Sequence, residues 1–358
     1  MKRLLLSLIA LALFAAVACG PTKASIREKL DAAVDSTLAS YSLDQKVWQL
    51  FMVGTQELED SLCPVGGVIL FGYDVKDSAQ LRHLTDSLHA LPGRPLISID
   101  EEGGRVARIG RNKAFNVPRI PAMLELTSAK EAFEAGRTIG SYLSLYGLDI
   151  DFAPVADVSD NPLASAIGDR AFSSDPAVVA ERVVQFAKGL AQEGICACVK
   201  HFPGHGDTSA DTHYGYAQNP RTWEELLQRD MVPFKAAIDA GVPMVMTAHI
   251  SAPAVTGTGV PSTLSPLMLT EKLRGELGYN GIIITDALRM GAIAREYPAG
   301  EAAVLALQAG VDILLLPGDF LAAHKAVMEA VEEGVITEER IDCSVRRILE
   351  LKLSKHIH

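Results

Sequence analysis

The sequence predicts an α/β protein folded as one (β/α)8 barrel of the TIM type, and three observations carry that prediction. Eight short apolar runs recur along the chain, amphipathic stretches separate most of them, and no phosphate-cradling glycine loop follows the first run, where Gly54 leads into Thr55-Gln56-Glu57. An open dinucleotide-binding sheet would carry such a loop after its first strand. The runs are Leu50–Gly54, Gly67–Phe71, Pro95–Asp100, Leu148–Val155, Ile195–His201, Val242–His249, Gly281–Asp286 and Val311–Pro317. Each is nearly continuous rather than alternating, the pattern of a parallel strand buried on both faces. Helices are predicted at Ser128–Tyr146, where apolar residues fall three and four apart, and at Asp175–Glu193, with Pro176 in its first turn. Further helices are expected at Trp223–Ala240, Ser265–Leu277, Ala299–Ala309 and Ile341–Leu353. Gly147, Gly194, Gly241, Gly278 and Gly310 each follow a helical stretch, where a left-handed residue ends the helix.

The chain has 358 residues, 48% hydrophobic and 22% charged, a balance that excludes disorder, collagen-like repeats and a disulfide-dense miniprotein. Its 44 acidic residues against 33 basic ones give a formal charge of −11, so the surface repels polyanions and no nucleic-acid partner is expected. No linker rich in Pro, Gly or Ser interrupts the pattern, and one domain is the economical reading.

Residues 1–18 read as an export signal. Lys2 and Arg3 precede an apolar run from Leu4 to Val17 that ends in small residues. The run is short of the roughly 20 residues a membrane span needs. Ala16-Val17-Ala18 suits ordinary signal cleavage, whereas Val17-Ala18-Cys19-Gly20 resembles a lipobox in which Cys19 is lipidated; either cut falls before Cys19. The expected mature chain is therefore 19–358, exported to the periplasm or cell envelope, with membrane attachment through Cys19 in the lipobox reading. Of the other cysteines, Cys196 and Cys198 share one face of a strand as small core hydrophobes, and Cys63 and Cys343 stand alone. A Cys-x-Cys without a second pair is a weak metal signal, so no metal is expected.

In a barrel of this kind functional residues gather at the carboxyl ends of the strands. Asp100-Glu101-Glu102-Gly103-Gly104-Arg105 follows the third run, Asp151 and Asp157 flank Pro154 around the fourth, and Lys200-His201 ends the fifth. His249 ends the sixth and Asp286 the seventh. Any one of these suits a helix cap or a salt bridge, but the set is hard to explain as packing. Asp286, delivered by Ile282-Ile283-Ile284-Thr285 to the end of a buried strand, is the best nucleophile: a carboxylate so fixed can attack an acetal carbon. Asp211-Thr212-His213 lies in the polar stretch Asp207–Asn219, read as a loop, and its carboxylate can raise the imidazole's pKa and fix its tautomer. The pair can then protonate a leaving oxygen and later activate water.

KHFPGHGDTSADTH, from Lys200 to His213, closely resembles the signature of glycoside hydrolase family 3, in particular its single-domain β-N-acetylglucosaminidase branch. The likeness continues through IDEEGGRVARI (99–109), LDIDFAPVADV (148–158), IGDRAFSSDP (167–176) and ITDALRMGAI (284–293). It implies a retaining exo-acting enzyme that removes terminal N-acetylglucosamine from peptidoglycan fragments or chitin oligosaccharides, without a cofactor. It implies that Asp286 is the nucleophile, that His213 with Asp211 is the general acid/base, and that Asp100, Arg108, Arg170, Lys200 and His201 bind the sugar hydroxyls. With aromatics at only 6%, sugar contact must rest on hydrogen bonds more than on stacking. The sequence departs from the family where Thr212 replaces the commoner serine and where Thr285-Asp286-Ala287 replaces Ser-Asp-Asp, which changes neighbours but not the reacting groups.

Alternatives on the same scaffold are a β-glucosidase and a phosphorylase, since a histidine acid/base tolerates phosphate in place of water. A metal-dependent amidohydrolase is suggested by His201, His205, His213 and His249, but the first strand lacks the His-x-His such sites use. A sugar-binding lipoprotein without catalysis is opposed by the joint presence of Asp286, Asp211 and His213. The chain is expected to act as a monomer.

Overall fold

A computed structural model describes residues 23–58, 63–161, 166–206, 208–210 and 217–354. Eight parallel strands run in the order β8-β1-β2-β3-β4-β5-β6-β7. They are β1 (Phe51–Gly54), β2 (Gly67–Leu70), β3 (Leu96–Ile99), β4 (Ile150–Asp151), β5 (Cys196–Phe202), β6 (Met244–Thr247), β7 (Ile282–Ile284) and β8 (Leu314–Leu315). The two ends of that order meet: Ile284 bridges Ile313, and the Asp312 and Ile313 amides donate to the Ile283 carbonyl at 2.7 and 3.1 Å. The sheet thus closes into the barrel that the eight apolar runs predict. Every residue of β1, β2 and β3 is buried, because side chains pointing inward fill the barrel while those pointing outward meet the helices.

Local sequence starts the helices where it should. Asp77 caps Ser78–His89, Ser128 and Glu131 form a reciprocal capping box for Ala129–Leu145, and Asp175 caps Pro176–Gln192 with proline in the first turn. Two helices not singled out from sequence, Ser78–His89 and Phe320–Glu332, complete the outer ring.

Four expected elements differ. Trp223–Ala240 is two helices, Trp223–Gln228 and Met231–Asp239, because Pro233 has no amide to offer the Arg229 carbonyl and its ring crowds that turn. Within Ser265–Leu277, residues Leu267–Glu276 wind as a π-helix, and the Leu277 amide reaches back five residues to Lys272. The fourth run pairs only at Ile150–Asp151 before Pro154 interrupts the ladder; pairing resumes at Val155 opposite Lys200. The stretch Asp207–Asn219 is not all loop, since Ser209–Ala210 pairs antiparallel with Ala217–Gln218, and Gln218 bridges Ser251.

Candidate active site

The carboxyl ends of the strands surround a cavity of about 300 Å³. Asp100, Arg108, Arg170, Lys200, His201 and Asp286 all line it, so six residues spread over 187 positions of sequence converge on one space. Asp211 and His213 lie outside the described residues.

Strand β5 supplies two neighbours to the same cavity because its pairing with β6 is irregular. Val199 faces Val245, whereas Phe202 faces Thr247, so an extra residue is accommodated between them. A bulge of this kind re-aims side chains that would otherwise alternate. Lys200 and His201 sit in that irregular stretch.

Lys200 is the centre of the polar wall. Its ammonium lies 2.8 Å from Asp100 Oδ1 and 2.7 Å from Glu102 Oε1, with only 3% of the side chain exposed. Arg108 meets the other oxygen of Asp100 at 3.2 Å. Arg170 grips Glu102 with two parallel bonds, Nε to Oε2 at 2.8 Å and Nη2 to Oε1 at 2.7 Å. Burial alone would push Asp100 and Glu102 up, but Lys200 and the arginines outweigh it and hold both carboxyls below their ordinary range. Burial likewise works against a charged Lys200, and the two carboxylates more than reverse it. Such charge-assisted bonds fix donors and acceptors before a ligand arrives.

His201 is oriented from behind. Its Nδ1 lies 2.7 Å from Asp157 Oδ2, and Nε2 lies 3.4 Å from Arg170 Nη2. A guanidinium only donates, so Nε2 accepts and Nδ1 carries the proton to Asp157. Asp157 also accepts the His205 amide at 2.6 Å. Burial would raise its pKa, yet His201 and His205 keep it low.

Asp286 follows β7. Its amide donates to the Thr247 carbonyl at 3.1 Å, and its Oδ1 accepts the Ala287 amide at 2.7 Å. Oδ2 has no hydrogen bond among the described residues, which leaves one oxygen of a rigidly mounted carboxylate open to the cavity. The alternative reading of Asp286 as a helix cap does not match this geometry: the next helix, Gly291–Ala294, begins after Met290 without a side-chain cap.

The three described histidines near the cavity are each engaged with protein groups. His201 pairs with Asp157, His205 Nδ1 meets Thr208 Oγ1 at 3.1 Å, and His249 lies between Thr263 and the Ala287 carbonyl. Among the described residues no group of three His, Cys, Asp or Glu side chains is arranged to hold a metal ion.

The sequence places Glu102, Asp157 and His249 at the strand ends without assigning them a role; in the structure Glu102 stands in the wall, Asp157 holds His201 and His249 holds Ala287. The signal for Glu102 was the run of three acids after the third strand, which packing alone does not explain.

A strand-end cavity that sets a rigidly mounted carboxylate beside a wall of fixed charges is an arrangement that barrel glycoside hydrolases use. The profile described as "Glycosyl hydrolase family 3 N terminal domain" matches residues 42–351, and the chain belongs to that family. Beta-hexosaminidase A of Pseudoalteromonas piscicida is 35% identical over 317 residues, covering 80% of this chain and 53% of that protein. The beta-hexosaminidase of Tolumonas auensis is 41% identical over 260 residues, covering 70% of this chain and 75% of its own length. The solved glycoside hydrolase family 3 beta-N-acetylglucosaminidase of Paenibacillus sp. str. FPU-7 superposes with a TM-score of 0.82 at 39% identity, over 89% of this chain and 63% of that one. The chain thus spans about half the length of the Pseudoalteromonas protein.

Proposed function

We propose that the chain is a retaining, exo-acting β-N-acetylglucosaminidase that removes terminal N-acetylglucosamine from peptidoglycan fragments or chitin oligosaccharides. The observation that carries the reading is the mounting of Asp286, with one oxygen held by the Ala287 amide and the other without a hydrogen bond among the described residues, on a cavity of about 300 Å³. That volume is at the small end of ligand pockets and suits one terminal sugar. The activity of the relatives, named as beta-hexosaminidases, supplies the sugar.

In the first step Asp286 attacks the anomeric carbon while the glycosidic bond breaks, and the His213 imidazolium, paired with Asp211, gives its proton to the departing oxygen. In the second, neutral His213 takes a proton from water, the water oxygen bonds to the anomeric carbon, and the ester to Asp286 breaks with configuration retained. Asp100, Lys200, Arg108, Arg170 and His201 hold the hydroxyls, and their bonds tighten as positive charge develops on the sugar ring.

Turnover of aryl β-N-acetylglucosaminide and aryl β-glucoside by wild type and Asp286→Ala, with and without phosphate, tests this reading. The N-acetyl substrate should be preferred, the variant should be nearly inactive, and phosphate should not be incorporated into product. Failure of wild type on the N-acetyl substrate, or equal rates for the two proteins, rejects it. A 2-fluoro sugar should add its mass at Asp286. Export is part of the same proposal: labelled fatty acid should appear on wild type and not on Cys19→Ser, which should leave the membrane fraction.

A further inference from the structure

The turn Asp100-Glu101-Glu102 places three carboxylates in succession, and each is held differently. Asp100 and Glu102 face the cations of the cavity. Glu101 turns away into the protein, where its Oε2 accepts the amides of Arg108 and Ile109 at 2.6 and 2.9 Å and its Oε1 accepts the Gly110 amide at 2.7 Å and the Tyr142 hydroxyl at 2.9 Å. The amide of Glu101 is the link between these two arrangements, and it donates to Asp151 Oδ1 at 2.9 Å.

Asp151, the last residue of β4, has no exposed surface. Its Oδ2 is buried and has no partner, and no cation lies in ion-pair contact with it among the described residues. The groups that face it are Asp100 and Glu101 from the turn after β3, Lys200 and Cys198 from β5, and Tyr142 from the neighbouring helix. Lys200 is already engaged by two carboxylates. An ionised carboxylate with one bare oxygen in such a place is far costlier than a neutral acid of the same shape.

We propose that Asp151 is a positioning residue of the sugar pocket, an uncharged acid that locks the Asp100–Glu101 peptide so that Asp100 meets Lys200 and Arg108 while Glu101 points inward. Burial acts on it in the same direction, pushing its pKa well above the ordinary carboxylate value. Because it is neutral, Asp151 leaves the positive charge of Lys200 to the two carboxylates that border the ligand. Asparagine reproduces both its shape and its charge, and leucine keeps the bulk but strands the Glu101 amide.

The test compares wild type, Asp151→Asn and Asp151→Leu, and the kinetic part rests on the glycosidase reading above. Infrared difference spectra of wild type minus Asp151→Asn at pH 7 should show the C=O stretch of a protonated carboxylic acid in wild type alone. Asp151→Asn should keep kcat/KM within about threefold on the preferred aryl glycoside. Asp151→Leu should raise KM by about tenfold or more, with a smaller change in kcat. Absence of the acid band, or a loss in Asp151→Asn as large as in Asp151→Leu, overturns the proposal. Where Asp151→Leu does not fold, the infrared band and the asparagine variant still decide. If wild type turns over no N-acetylglucosaminide, the substrate reading fails, whereas the infrared measurement judges Asp151 independently of activity.

Discussion

His249 Nε2 lies 3.0 Å from the carbonyl oxygen of Ala287, the residue that follows the carboxylate Asp286. A carbonyl only accepts, so Nε2 carries the proton. Burial lowers the pKa of His249, and its Nδ1 lies 2.9 Å from the hydroxyl oxygen of Thr263, which itself donates to the Ala248 carbonyl at 2.9 Å. The ring therefore holds Ala287 by its carbonyl, while the amide of the same residue, one peptide earlier, holds Asp286 Oδ1. His249→Ala should lower kcat by roughly 10–100-fold while KM moves little, as expected when a reacting group is displaced by a fraction of an ångström. Steady-state kinetics check this; a change confined to KM would contradict it.

Lys200 carries the opposite signature. Its loss leaves Asp100 and Glu102, pulled low by its charge, facing one another across a buried wall. Lys200→Met should destabilise the fold by about 3 kcal/mol or more and reduce kcat/KM at least about 100-fold, mostly through KM. Denaturant unfolding and kinetics read the two effects separately.

Asp157 sets a pH dependence. Its pKa is low in the folded state, because His201 and His205 overcome the opposing effect of burial. In the acid range the unfolded chain therefore binds its proton first. The stability it contributes is complete above the ordinary carboxylate pKa and is lost as pH falls through that value toward the lower folded one. Asp157→Asn should cost about 1–3 kcal/mol at pH 7, and the gap from wild type should narrow steadily below about pH 4. Urea midpoints across pH 7 to 3 measure the gap; a constant difference would contradict the assignment.

Gly206 has no room for a methyl group. A Cβ there would sit 1.9 Å from the Val158 carbonyl oxygen, a backbone atom that cannot rotate away. Ser159 Oγ also donates to the Gly206 carbonyl at 3.2 Å, which pins the turn to the loop after β4. Gly206→Ala should lower stability by about 1–3 kcal/mol and reduce activity, since it displaces His205 and the chain leading to Ser209. Gly72→Ala, where nothing lies within 4 Å of the added carbon, should stay within about 0.5 kcal/mol of wild type.

Much of this site was legible before the structure because burial of charge is expensive. A carboxylate after Ile282-Ile283-Ile284-Thr285 and a Lys-His pair after Ile195–Val199 are improbable as packing, so their positions announced a rim of functional groups. The partners were less legible. Glu102 and Asp157 read as two acids among several, and only the approach of Arg170 and His201 from distant segments gives them a task. The break at Arg229 was visible in principle, since Pro233 stands four residues later, but the apolar period across the whole stretch suggested one helix.

The sequence by itself determined the order of strands, the one rim on which the reacting groups must fall, and the family motif from Lys200 to His213, because period and local chemistry are written along the chain. Tertiary structure alone decided the bonds: which oxygen of Asp286 the Ala287 amide holds, that Lys200 divides its charge between Asp100 and Glu102, and that the Asp151 side chain has a single hydrogen-bond partner among the described residues. Those outcomes depend on directions and distances between elements up to 186 residues apart, and barrel closure sets them.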